Sequence, residues 1–168
     1  MPTTVYIAIG TNEGDRWKNL RAAISHLPPC VSVERCSDVY ETEPAYVLDQ
    51  PRYLNMVLVG HTDLAPYPLL RCLKDLEQQL GRKAARRWGE RLIDLDILIY
   101  GDLHMEEPDL IIPHMRMHER QFVLQPLMEL APDLVPPGAS QTVREMAAAT
   151  PPHGLILARL GPISGNET

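Results

Sequence analysis

Basic residues are in the minority here, 16 lysines and arginines against 22 aspartates and glutamates, for a formal net charge of −6. With a pI near 5.5, that balance argues against a general nucleic-acid binder. Cysteine is scarce. Cys30, Cys36 and Cys72 form no C-x-x-C pair and leave an odd count, so neither a disulfide framework nor a zinc knuckle is expected, and a reducing cytosol fits. No apolar run approaches the roughly 18 residues of a membrane span, and no charged-then-apolar leader is present, so a cytoplasmic protein is expected. Neither G-x-x-x-x-G-K-[ST] nor G-x-G-x-x-G occurs, which leaves a P-loop, a Rossmann site and a protein kinase without support. Phe122 is the one phenylalanine, and core packing is its default role.

What remains is an ordinary globular composition, 45% hydrophobic and 23% charged. At 168 residues there is room for one domain, taken as 1–160, with 161–168 as a mobile tail. Thr4 to Ile9 reads as a strand, and Gly10 to Gly14 as a turn. Asp15 then caps a helix whose Trp17, Leu20, Ile24 and Leu27 recur at helical spacing up to Pro28. Val31 to Tyr40 reads as a second strand and Glu41 to Gln50 as a loop. Arg52 to His61 is a third strand, placing Tyr53, Asn55, Val57 and Val59 on one face. Pro66 opens a helix with a Leu69, Leu73, Leu76, Leu80 stripe closed by Gly81. After residue 100, Leu103 to Ile112 suggests a short hairpin. Val123 to Leu130 reads as a helix interrupted by Pro126, Ser140 as the cap of a last helix through Ala149, and Leu155 to Leu160 as a strand or arm.

The stretch Arg86 to Tyr100, RRWGERLIDLDILIY, carries the chemistry. From Leu92 the period is two: Ile93, Leu95, Ile97 and Ile99 share one face, while Leu92, Asp94, Asp96, Leu98 and Tyr100 share the other. Two residues along a strand span roughly 7 Å, which lets the two carboxylates share a pair of divalent cations in phosphoryl transfer. Hard oxygen ligands favour magnesium over zinc. Arg82, Lys83, Arg86, Arg87 and Arg91 run into this strand, and such cations beside a carboxylate-held metal suit a polyphosphate. Tyr53 and Asn55 could hold a flat, hydrogen-bonding heterocycle by stacking and edge recognition. His114 and His118 lie four apart, yet Pro113 and the absence of an H-E-x-x-H glutamate argue against zinc.

Taken together, these residues resemble the 6-hydroxymethyl-7,8-dihydropterin pyrophosphokinases of folate biosynthesis over roughly residues 4 to 137. The parts that carry the likeness are Ile9-Gly10-Thr11-Asn12 with Gly14-Asp15-Arg16, Tyr53-Leu54-Asn55, Glu77 with Gly81-Arg82, Arg87-Trp88-Gly89 to Asp96, Pro113-His114 through Arg120 and Phe122, and Pro126-Leu127 to Ala131-Pro132. The resemblance implies an α+β, ferredoxin-like fold, an antiparallel sheet with packed helices, acting as a monomer on small molecules with no nucleic-acid or membrane partner. It implies two Mg2+ ions on Asp94 and Asp96, with ATP as co-substrate. Arg82, Arg91, His114 and Arg120 would contact the phosphates or close over them, Glu77 would sit near the adenosine, and Trp88 would help the basic loop seal the site. Tyr53 and Phe122 would sandwich the pterin while Thr42 and Asn55 bond its polar edge. The hydroxymethyl oxygen would attack the β-phosphorus with AMP leaving.

The chain departs from the family pattern at Glu43, where proline is common, at Met115, where tyrosine is frequent, and at Ala84, where a second arginine often stands; the basic loop also reads about one residue short. A paralogue acting on another pterin, a nucleotide-binding regulatory module and a metal-dependent phosphodiesterase are the alternatives. Residues 82–91 and 43–50 are polar and poor in apolar anchors, which predicts two lids that close on nucleotide. Hydrogen exchange there is expected to slow when a nucleotide analogue is added; equally slow exchange with and without it would count against the lids.

Overall fold

Strict alternation in three long segments builds the middle of a sheet, and everything else is arranged on its two faces. The computed structural model describes residues 2–44, 49–81, 92–150 and 156–165. In chain order its elements are β1 (Thr3–Thr11), α1 (Arg16–His26), β2 (Ser32–Cys36), β3 (Asp38–Thr42), β4 (Tyr53–Thr62), α2 (Pro66–Gln79), β5 (Asp94–Tyr100), β6 (Met105–Glu107), β7 (Leu110–Ile112), α3 (Gln121–Leu130), α4 (Val143–Ala149) and β8 (Ile156–Pro162). The sheet order is β5-β1-β4-β3-β8, with β2 also paired to β4, and every pairing is antiparallel. Merging β2 and β3 as one split strand gives the ferredoxin-like βαββαβ order; β6 and β7 form a separate hairpin.

The larger core lies on one face. Val5, Ile7 and Ile9 of β1, Leu54, Met56 and Leu58 of β4, and Ile93, Leu95 and Ile97 meet Leu20 and Leu27 of α1 and the Leu69, Leu73, Leu76 stripe of α2. Asp15 caps α1 by accepting the Lys18 N–H. On the other face Val57, Leu98 and Ile99 pack against Met117 of the 3-10 turn Met117–Glu119, Val123 and Leu127 of α3 and Val143 of α4. Each buried aliphatic side chain stabilises by about 1.5–3 kcal/mol, so both faces are firmly covered except where the sequence places polar groups.

Several expectations are corrected. The strand expected over Val31 to Tyr40 breaks at Ser37, whose hydroxyl accepts the Val57 N–H at 3.0 Å and so replaces a ladder bond at the break. Glu41 and Thr42, expected in a loop, end β3. The strict alternation after Leu92 fails at Leu98: Tyr6 pairs with Ile99 but Ile7 with Ile97, so Leu98 is a bulge, Ile99 joins the α3 face and Tyr100 turns to the α2 face. Pro126 does not interrupt its helix; it is buried within α3, where packing on the sheet outweighs one lost backbone bond. The last helix is capped by Thr142 rather than Ser140, through a capping box with Glu145. The chain stays structured past residue 160, since β8 runs to Pro162 and a 3-10 turn follows over Ile163–Gly165.

Cysteine is the largest departure. Cys30 and Cys72 form a disulfide between the end of α1 and the middle of α2, with Cα atoms 5.7 Å apart, and Cys36 alone is free. An odd count gave no hint of it because the partners are 42 residues apart in sequence.

Candidate active site

The register of β1 with its two neighbours, β4 and β5, lays the polar motifs on one floor. Gly10 of β1 faces Asn55 on one side and Asp94 on the other, and Ala8 faces Val57 and Asp96. Glycine and alanine thus form a shallow trough between an amide and two carboxylates. A Cβ at Gly10 would lie 2.8 Å from Asn55 Oδ1, so the amide's position itself demands glycine. Asn55 Nδ2 donates to Thr42 Oγ1 at 2.7 Å, while Thr42 pairs with Tyr53 across β3 and β4.

Over this floor stands a cavity of about 510 Å3. Sheet order sets what lies along it. Thr42, Tyr53, Asn55 and Phe122 line one end; Asp94, Asp96, His114, Arg116 and Arg120 line the middle; Leu70 and Lys74 of α2 with Pro108 to Ile111 of the hairpin line the end beyond the β5 edge. Arg120 caps the first turn of α3 and lies 5.5 Å from the centre of the Phe122 ring, so the turn that presents the aromatic also presents a cation. Gln121 secures that turn by donating to the Ala147 and Thr150 carbonyls.

His114 owes its place to the bulge. Its N–H donates to the Leu98 carbonyl at 2.9 Å, directly after the cis Ile112–Pro113 peptide. The ring Nδ1 accepts the Arg116 N–H at 3.3 Å, which leaves Nε2–H as the donor of the neutral ring. Burial pushes the His114 pKa below its ordinary value; Asp96 opposes that, while Arg120, Arg116 and Lys74 add to it. The imidazole is therefore neutral near pH 7.

Glu77, expected near the adenosine, is buried behind the strand that bears the aspartates. Its carboxylate, 2% exposed, accepts the Leu95 N–H at 2.7 Å and pairs with Lys74 Nζ at 3.3 Å, and it does not line the cavity. Leu95 is the residue between the two aspartates. Glu77 thus fastens α2 to the strand bearing them and draws Lys74 to the cavity wall.

The Gly10-Thr11-Asn12 turn ties down the chain where it enters the site. Thr11 Oγ1 donates to the Leu92 carbonyl, and Asn12 Nδ2 donates to Gln50 Oε1 at 2.9 Å and to the Pro51 carbonyl at 3.0 Å. Leu92 packs on Gly81, where φ is +93° and a Cβ would come within 2.9 Å of the leucine. Arg82, Trp88 and Arg91, together with the rest of 82–91 and with 45–48 of the other expected lid, lie outside the described residues.

Of the expected site residues, Thr42, Tyr53, Asn55, Asp94, Asp96, His114, Arg120 and Phe122 line one cavity. Lys74, Arg116, Leu70 and the hairpin residues were missed. Leu70, Lys74 and Glu77 follow i, i+4, i+7 spacing beside the leucine stripe, a signal that helical geometry alone could have found. The hairpin's approach is tertiary and left no mark in the sequence.

The profile of the 7,8-dihydro-6-hydroxymethylpterin-pyrophosphokinase (HPPK) family matches residues 6–132. The 2-amino-4-hydroxy-6-hydroxymethyldihydropteridine pyrophosphokinase of Methylorubrum extorquens is 41% identical over 155 residues, covering 91% of this chain and 97% of that protein. The folic acid synthesis protein fol1 of Schizosaccharomyces pombe is also 41% identical, over 154 residues, but the chain spans only 21% of its length. The crystal structure of Plasmodium falciparum HPPK-DHPS with pteroate shares the fold, with a TM-score of 0.73 at 15% identity over 88% of this chain and 44% of that one.

Glu77→Leu, which removes both the acceptor for the Leu95 N–H and the partner of Lys74, is expected to cost about 2–4 kcal/mol. Glu77→Gln keeps an acceptor and should cost clearly less. Thermal unfolding of the two variants decides: equal and negligible shifts would show that the buried carboxylate does not fasten the strand.

Proposed function

Because the chain belongs to the 7,8-dihydro-6-hydroxymethylpterin-pyrophosphokinase family, we propose that it transfers pyrophosphate from ATP to the hydroxymethyl group of 6-hydroxymethyl-7,8-dihydropterin, a step of folate biosynthesis, releasing AMP. One observation carries the reading: Asp94 and Asp96 share a face in a cavity that also holds Tyr53 and Phe122 at one end and three cationic side chains, Lys74, Arg116 and Arg120. The pterin ring takes the Tyr53, Phe122 end, with Thr42 and Asn55 toward its polar edge. ATP takes the end between α2 and the hairpin, its phosphates over the aspartates.

The donor set fits magnesium. No group of three or more His, Cys, Asp or Glu able to hold a metal occurs among the described residues, and magnesium bound through one or two carboxylates completes its shell with water and substrate phosphate. Asp94 and Asp96 would hold two such ions, whose chemistry is to neutralise and align the phosphates. The protein's own work is positional. The trough over Gly10 and Ala8 brings the acceptor oxygen in line with the β-phosphorus; an O–Pβ bond forms as the bond from Pβ to the AMP oxygen breaks. Arg120, Arg116 and Lys74 offset the charge on the phosphates, and the neutral His114 offers Nε2–H as a hydrogen-bond donor without competing for a proton. Arg82 and Arg91 stay within the proposal as further phosphate contacts and Trp88 as part of the seal; Glu77 supports the nucleotide end through Lys74. We place the enzyme in the cytoplasm as a monomer; among the described residues no helix is long and apolar enough to cross a membrane.

The test is AMP release with magnesium and ATP, with and without 6-hydroxymethyl-7,8-dihydropterin. AMP that depends on the pterin supports the proposal, while no AMP points to a regulatory module and pterin-independent product to a phosphodiesterase. Asp94→Asn and Asp96→Asn are each expected to stay folded, gaining slightly in metal-free stability as like-charge repulsion is relieved, and to lose activity by several orders of magnitude. Near-normal turnover of either variant across a magnesium titration would remove the two-metal reading. Phe122→Ala should weaken pterin binding by about 1–3 kcal/mol and spare ATP; equal loss for both ligands would assign Phe122 to the core.

A further inference from the structure

The Cys30–Cys72 bond is attached to α2, the helix whose Leu70 and Lys74 line the end of the cavity assigned to the nucleotide. Cys30 is 4% exposed, and its carbonyl accepts the buried Thr62 hydroxyl at 2.8 Å, so it is moored to the last residue of β4. Cys72 sits on α2 between Leu70 and Lys74, both of which line the cavity. Five residues beyond Cys72, Glu77 accepts the Leu95 N–H between the aspartates. The helix is thus tied at two points, by the disulfide to the turn after α1, which Thr62 moors to β4, and by a hydrogen bond to β5. Lys74 lies between those points and Leu70 two residues before the first. Thr42 and Phe122 stand on β3 and α3, and Tyr53 and Asn55 at the opposite end of β4 from Thr62, away from the disulfide's mooring.

We propose that Cys30–Cys72 is a reducible staple whose state sets nucleotide affinity while leaving the pterin end unchanged. This rests on the assignment of ATP to the α2 end. Cys72 is the more accessible sulfur, being partly exposed where Cys30 is buried. A thiolate of a dithiol reductant attacks Cys72 Sγ and the S–S bond breaks with Cys30 leaving as thiolate. The reductant's second thiol then resolves the mixed disulfide, releasing Cys72. Two electrons and two protons pass from the reductant, which leaves as a cyclic disulfide; oxidised glutathione reverses the change by the same exchange. Without the staple, α2 keeps its leucine stripe, Glu77 and the Tyr67–Asp109 bond but loses its tie at mid-helix, and Leu70 and Lys74 lose their fixed distance from Asp94 and Asp96.

The experiment uses the full chain, purified without reductant, exposed to oxidised glutathione and compared with its dithiothreitol-reduced form. Thiol titration after denaturation should find one free thiol before reduction and three after. Reduction should lower the melting temperature by on the order of 10 °C, the loop being long. Calorimetry with magnesium and a non-hydrolysable ATP analogue should show affinity falling roughly five-fold or more on reduction, and binding of 6-hydroxymethylpterin should change less than about two-fold on the same scale. Cys30→Ser with Cys72→Ser should match the reduced protein and ignore dithiothreitol, which separates the staple from other effects of the reductant. Three free thiols in the glutathione-treated protein, an unchanged analogue affinity, or equal loss for both ligands would each overturn the proposal. Because the readout is binding, a failure of catalysis leaves it intact: absence of AMP in both redox states would sink the enzymatic reading alone.

Discussion

Two carboxylates on the outermost strand of a sheet are an unstable arrangement unless something holds that strand's free edge. Here the buried carboxylate of Glu77 takes the Leu95 N–H, a bond to a charged acceptor of about 1.5–3 kcal/mol, at the residue between Asp94 and Asp96. Three positions further on, the Leu98 carbonyl, freed by the bulge, takes the His114 N–H. The edge that could have paired with another chain is therefore occupied by the protein's own groups, and the same two bonds deliver Lys74 and His114 to the cavity. Strand protection and site assembly are one interaction seen from two sides.

The opposite end of the sheet is secured differently. Arg159 on β8 donates to Asp38 at 2.7 Å, pairs with Glu129 at 3.1 Å and lies over the Tyr40 ring, while Glu129 accepts the Tyr40 hydroxyl and the Asp38 N–H. Burial and the Glu129 bond together push the Tyr40 pKa upward. Tyr40 pairs with Asn55 across β3 and β4, so this network backs the Tyr53 and Asn55 side of the cavity as Glu77 backs the Asp94 and Asp96 side. The family match ends at residue 132, and Arg159 lies beyond it.

What could be read beforehand follows from which forces are local. Period two carried Tyr53, Asn55, Asp94 and Asp96 onto one face because side-chain direction in a strand depends only on position. It failed at Leu98, where the extra residue is dictated by pairing with Tyr6 and Ile7. The Asp15 cap is legible; Ser140 and Thr142 are both able to cap, and only the reciprocal Glu145 decides for Thr142. Pro126 carries an intrinsic helix penalty that its burial in α3 outweighs. Lys74 was hidden beside a leucine stripe that invited a core reading, and Cys30 with Cys72 could not be paired because sequence distance says nothing of their 5.7 Å approach.

Leu92 resting on Gly81 has a consequence for the length of chain between them. The two flanks of the basic segment meet each other and are pinned independently, Leu92 by Thr11 and Gly81 by its position after α2. Because these flanks meet, the length of the segment between them is not transmitted to the scaffold. Closing a loop of slightly different size changes its entropy by only a small fraction of a kcal/mol. Residues gained or lost between Gly81 and Leu92 would therefore leave the aspartate strand, and its carboxylates, where they are.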